Sequence, residues 1–153
     1  MKIAPALSAE HVEIARRLFR EYAEYIRVDL CFQGFEQELA ELPGAYGPPA
    51  GVLLLAWIDD AAIGCVGLRP HQSGACEMKR LYVQPDRQRS GAGRALAERV
   101  IAEAVRLGYR AMVLDTLPVM EPAIALYASL GFKRRDPYYE TPLKDTVFME
   151  KTL

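Results

Sequence analysis

Between Cys76 and Val83 the apolar residues change parity. Cys76 and Met78 sit on even positions, Leu81 and Val83 on odd ones, and Lys79-Arg80 lies at the change. Side chains of a regular strand alternate between two faces, so one apolar set would be turned away from the core. One extra residue near Lys79-Arg80, a β-bulge, returns both sets to the same face. The alternative is a central strand buried on both faces. Two more strand-like stretches precede it, Val52–Ile58 and Ala62–Arg69. Turn residues at Asp59-Asp60 and Ser73-Gly74 join the three, which predicts an antiparallel meander.

Helical patterns surround this meander. Ser8 can cap a helix carrying Ala15, Leu18, Phe19, Tyr22 and Ile26, and a shorter one follows with Phe35, Leu39 and Leu42 on one side. The Pro43–Pro49 stretch is a loop within the domain, since neither flank could bury a core alone. After the meander, Gln84–Ser90 is polar, and a helix from Gly91 or Gly93 carries Leu96, Val100, Ala104 and Leu107 to a closing Gly108. Tyr109–Asp115 reads as a strand, and Pro122–Leu130 as a helix closed by Gly131. Strands around Phe132–Tyr139 and Thr146–Leu153 finish the chain. The order is that of an α/β fold with a mixed sheet, and residues 1–153 fit a single domain.

Lys and Arg number 19 against 20 Asp and Glu, so overall charge does not mark a nucleic-acid binder. The longest apolar run, Gly51–Ile58, is too short to span a bilayer, and Met1–Leu7 lacks the pattern of a signal peptide. Cys31, Cys65 and Cys76 have no CxxC spacing, and His11 and His71 form no cluster with them. These features predict a cytoplasmic protein without metal, nucleic-acid or membrane partners.

Any anion site must therefore be local. Gln88-Arg89-Ser90-Gly91-Ala92-Gly93-Arg94 joins a strand to a helix. A helix N-terminus offers unpaired N–H groups and partial positive charge, and glycines let the backbone approach an anion. Arg87, Arg89 and Arg94 add charge. The stretch lacks a P-loop string, and Leu96 breaks the dinucleotide fingerprint. Alone, the glycine pair is also compatible with tight packing.

The same turn matches the [QR]-x-x-G-x-[GA] signature of the GNAT family of N-acetyltransferases, as Gln88-x-x-Gly91-x-Gly93. Glu77–Pro85 resembles that family's bulged central strand, and Ala125-Leu126-Tyr127-Ala128-Ser129-Leu130-Gly131-Phe132 its LYxxxGF helix end. Ser90 departs mildly, standing where glycine is common. The resemblance implies the acyl-CoA N-acyltransferase fold: a mixed, mostly antiparallel central sheet flanked by helices on both faces.

It further implies acetyl-CoA as cosubstrate, lying where two central strands splay apart. Backbone groups of Leu81, Tyr82 and Val83 would pair with the pantetheine arm, and the amides of Arg89, Ser90, Gly91, Ala92, Gly93 and Arg94 would hold the pyrophosphate beside Gln88. Transfer to an amine needs an oxyanion donor, for which a Leu81 or Val83 N–H serves, and a proton for the thiolate. Tyr127 matches the family's general acid. Glu77 is the candidate base, because burial would push its pKa toward neutrality; Asp115 is held in reserve. The acceptor is a small-molecule or peptide amine, met by the first two helices and the Tyr138-Tyr139 region, with Tyr22, Tyr25, Arg27, Phe32 and Tyr46 in reach and Arg69 or Arg80 available for a carboxylate. A homodimer is compatible with this reading. The rival reading is a catalytically silent acyl-CoA sensor that keeps the turn alone.

Overall fold

A computed structural model describes all residues, 1–153. A short strand β1 (Lys2–Pro5) leads into helix α1 (Ala9–Ile26). Ser8 caps α1 by accepting from the His11 N–H at 3.1 Å, and Val12, Ala15, Leu18 and Phe19 form its buried stripe. Helix α2 (Phe35–Glu41) follows, then the meander β2 (Val52–Ile58), β3 (Ala61–Pro70) and β4 (Ala75–Val83). Helix α3 (Ala92–Arg106), β5 (Ala111–Thr116), α4 (Glu121–Ser129), β6 (Lys133–Arg135) and β7 (Val147–Thr152) complete it.

The seven strands form one sheet in the order β1-β2-β3-β4-β5-β7-β6. Only the β4–β5 pair is parallel, so the sheet is mixed and mostly antiparallel. Successive residues of β2 enter opposite cores: Leu54 and Ala56 join α3 and α4, Leu53 and Leu55 join α1 and α2. Helices on both faces explain why this strand is an unbroken apolar run.

The parity change in β4 is a bulge. Cys65 faces Tyr82 while Gly67 faces Lys79, so β4 carries one residue more than β3 between these pairs. Arg80 sits at φ 61, a left-handed conformation that costs a non-glycine residue about 1 kcal/mol or more. Cys76, Met78 and Val83 consequently share the α3–α4 core, with Leu81 packed against it. Tyr82 falls in the α1–α2 core. Glu77, Lys79 and Arg80 are buried despite their charge.

Two elements differ from expectation. Strand β1, which pairs with Leu54–Trp57, has no counterpart in the sequence pattern, because four residues ending in Pro5 carry no alternation. The strand expected over Phe132–Tyr139 shrinks to Lys133–Arg135, and Tyr138 and Tyr139 leave the ladder. That departure matters for the site.

Candidate active site

Strands β4 and β5 pair only through Ala75–Glu77 and Ala111–Val113. Beyond this, β4 stays with β3 and β5 with β7, so the two diverge. Met78–Val83 thus presents a strand edge without a strand partner on the β5 side. Such an edge can accept an extended, amide-bearing ligand as if it were another strand. The opening holds two adjoining cavities that share Leu81, Met120 and Ala123.

The outer cavity, about 360 Å³, leads to the turn and is lined by Leu81, Val83, Gln88, Gly91, Gly93 and Arg94. Pro85–Ser90 forms a 3-10 turn, and Gly91 at φ 85 precedes α3. An added Cβ at Gly91 meets nothing within 4 Å, so its left-handed backbone, not crowding, is what requires glycine. The first bond inside α3 runs from the Ala95 N–H to the Gly91 carbonyl, leaving the Gly91, Gly93 and Arg94 N–H groups without intrahelical partners. The Ala92 N–H instead donates to Ser90 Oγ at 3.2 Å, and the Ala92 methyl is buried in the core.

Several side chains here act as struts. Gln88 Nε2 donates to the Val83 carbonyl at 3.3 Å and to the Tyr25 hydroxyl at 3.2 Å, tying the turn to β4 and α1. Arg94 Nη2 donates to Ser129 Oγ at 2.8 Å, and Arg89 stands exposed. The Tyr82 side chain turns away from the opening, its hydroxyl donating to Glu21 at 3.3 Å. Tyr25, Val119 and Met120 also line this cavity. Val119 and Met120 were not legible in the sequence, because a lining role in a connecting loop leaves no periodic signal.

The inner cleft, about 40 Å³, lies where the strands part, between Tyr22, Gln33, Lys79, Arg80, Asp115 and Tyr127. Tyr127 is 7% exposed, and its ring packs edge-on against Phe132 at 5.8 Å. Burial pushes its hydroxyl up, helped by nearby Tyr22 and Asp115, so it keeps its proton throughout the working range.

Glu77 does not line this inner cleft. It faces an outer chamber of about 210 Å³ with Phe32, Arg69, His71, Tyr138 and Tyr139. It is buried as expected, but not alone: Arg69 Nε donates to Oε1 at 2.9 Å, the Tyr138 hydroxyl to Oε2 at 2.6 Å, and Lys79 Nζ lies 3.9 Å away. The carboxylate that borders the inner cleft is Asp115, which accepts from Lys79 Nζ at 3.2 Å and from the Tyr139 hydroxyl at 2.7 Å. Burial works against its charge, but Lys79 and Tyr139 hold Asp115 below the usual carboxylate range. Burial pushes the Lys79 ammonium down.

Arg80 completes the cluster through a bidentate pair with Glu38, at 2.9 and 3.0 Å. Arg69 and Tyr46 border a third chamber, of about 230 Å³, where Arg69 lies 5.9 Å over the Tyr46 ring. The Tyr46 hydroxyl is buried without a partner. Of the other aromatic and basic residues expected near the acceptor, Phe32 borders the outer chamber, whereas Arg27 serves as the exposed left-handed cap of α1. Gln33 and Glu38 carry no signature in the sequence, yet Gln33 lines the inner cleft and both chambers.

The comparisons with known proteins agree with this geometry. Residues 12–132 match the model of the acetyltransferase (GNAT) family. An uncharacterised N-acetyltransferase of Schizosaccharomyces pombe is 43% identical over 136 residues, covering 88% of this chain and 83% of the relative. A GNAT-family acetyltransferase of Staphylococcus aureus has the same fold, with a TM-score of 0.81 at 18% identity over 99% of this chain and 98% of its own. A GNAT-family acetyltransferase of Elizabethkingia anophelis, solved with acetyl-CoA bound, has a TM-score of 0.58 and 25% identity over 68% of this chain and 77% of its own. With its splayed strands, its glycine turn and a family match over most of its length, the chain belongs to the GNAT acetyltransferases.

Proposed function

We propose that the protein transfers the acetyl group of acetyl-CoA to a primary amine of a small molecule or peptide by direct attack on the thioester. The observation that carries this reading is the free β4 edge, which runs from the unpaired amides of the glycine turn to the Tyr127 cleft. The pyrophosphate rests on the Gly91, Gly93 and Arg94 amides, and the pantetheine arm pairs along Leu81–Val83. Acetyl-CoA bound to the Elizabethkingia relative supports the same cosubstrate here.

In the reaction the neutral amine forms a bond to the thioester carbon, and a β4 backbone N–H steadies the oxyanion. As the C–S bond breaks, Tyr127 gives its proton to the departing thiolate. The amine loses one proton, which is taken by one of the two carboxylate–tyrosine couples, Asp115–Tyr139 at the cleft or Glu77–Tyr138 in the outer chamber, and is released from there to solvent. Tyr127 then regains a proton from solvent. Glu77 serves as a base only through Tyr138, since it stands one chamber away.

Calorimetry with acetyl-CoA and desulfo-CoA, followed by thiol release on an amine panel, tests the proposal. Binding with turnover is expected. Binding without turnover on any amine would favour an acyl-CoA sensor, and no binding at high micromolar cofactor would defeat both.

A further inference from the structure

We propose that the acceptor amine also carries a carboxylate, and that this carboxylate docks between Lys79 Nζ and Arg80 Nη1 in place of the Gln33 side chain. The inference rests on the acetyl transfer proposed above and names the class of acceptor.

Lys79 and Arg80 are 6% and 4% exposed, and both donate to one neutral oxygen, Gln33 Oε1, at 3.2 and 2.8 Å. Their other partners are fixed. Glu38 from α2 takes Arg80 Nε and Nη2, and Asp115 from β5 takes a second Lys79 donor, with Glu77 at 3.9 Å on the outer side. Each cation therefore has one donor turned toward the same point. A neutral amide oxygen is a poor match for it, because hydrogen bonds between two ionised groups are the stronger ones.

The amide is also replaceable. Gln33 is half-buried, closes the 3-10 turn Cys31–Gln33, and is followed by Gly34 at φ 68. Apart from the two cations, its only side-chain bond is a 3.3 Å contact from Nε2 to the Tyr139 hydroxyl. Swinging it outward opens the inner cleft to the chamber beside Arg69 and Tyr138. The charged groups gathered here are Arg69, Lys79 and Arg80 against Glu38, Glu77 and Asp115, a balanced set, so selection rests on the two cationic donors that converge on one point and not on net charge. The Lys79 and Arg80 donors directed at that point offer a carboxylate oxygen two charge-assisted bonds and disfavour an ammonium placed there.

The test compares α-, β- and γ-amino carboxylates with their own amides, such as β-alanine with β-alaninamide, by thiol release from acetyl-CoA. Rates are taken per neutral amine, since amidation lowers amine basicity. Each carboxylate is expected to exceed its amide in kcat/KM by about ten- to a hundredfold. Gln33→Glu places a tethered carboxylate on the same cations. It should erase that preference by raising KM for the amino carboxylates about tenfold, with acetyl-CoA affinity held within about twofold.

Equal or better turnover of the amides overturns the inference while leaving acetyl transfer intact. So does a Gln33→Glu protein that binds acetyl-CoA and keeps the full preference. Absence of acetyl-CoA binding, or binding without turnover across the panel, instead defeats the transfer reading on which the inference rests.

Discussion

The two buried cations of β4 should respond in opposite ways to loss of their carboxylates. In Glu38→Gln, Arg80 loses the carboxylate charge and one of the two acceptors of a bidentate pair at 2.9 and 3.0 Å, while its side chain stays 2% exposed. A guanidinium cannot shed its proton at accessible pH, so the charge remains buried and unpaired. Removing one partner of such a pair costs about 3–5 kcal/mol. For a chain of this size that is a fall in Tm of roughly 6–20 °C. In Asp115→Asn, Lys79 loses its nearer carboxylate and keeps Glu77 only at 3.9 Å, with a side chain 5% exposed, but it can release its proton.

The sign of the pH dependence follows from linkage. Burial already holds folded Lys79 below its ordinary value, and loss of Asp115 lowers it further. Between that folded value and the unfolded one near ~10.4, the unfolded chain binds more protons, so stability rises with pH. The Asp115→Asn deficit should therefore shrink as pH rises from the variant's folded Lys79 value to the higher folded value of the unsubstituted protein, whereas the Glu38→Gln deficit stays flat. Urea unfolding followed by the fluorescence of the single tryptophan, Trp57, measures both. The reasoning is refuted by a Glu38→Gln deficit below about 1 kcal/mol, or by two deficits with the same pH profile.

The remaining predictions concern single atoms. Tyr127→Phe should lower kcat by about ten- to a hundredfold with acetyl-CoA affinity nearly unchanged, read by stopped-flow thiol release and calorimetry. Gly91→Ala should cost about 1–2 kcal/mol in unfolding experiments, because alanine is strained at φ 85 although nothing crowds its Cβ, and should weaken acetyl-CoA binding as the neighbouring amides lose their aim. Tyr46→Phe removes a buried hydroxyl that has no partner, so Tm should hold or rise by a few degrees, about 1 kcal/mol.

Much of this arrangement could be read from residue order alone, and the reason is local. The parity change at Lys79-Arg80 exposes a bulge because side-chain alternation has a fixed period, and Gly91 marks a left-handed turn because few other residues adopt one. The acceptor side has no comparable period. Gln33 and Glu38 come from α1–α2 connecting turns and a two-turn helix, and they meet β4 only through tertiary packing. Glu77 and Asp115 both looked available as bases; which one borders the cleft depends on where β4 and β5 part, a long-range fact. Tyr138 and Tyr139 were expected at the site, but the hydroxyl contacts that make each one a partner of a carboxylate arise because the chain leaves the ladder after Arg135.

The bulge makes chain length itself a functional variable. Deleting one residue from Lys79–Leu81 would restore even spacing against β3, and either Cys76 and Met78 or Leu81 and Val83 would then turn to the α1–α2 face instead of the α3–α4 core. A deletion of equal size in the exposed Gln72–Gly74 turn leaves that parity alone. In a scan of single-residue deletions, the stretch from Lys79 to Leu81 should therefore be a sharp dead zone, because a residue there is counted as well as read.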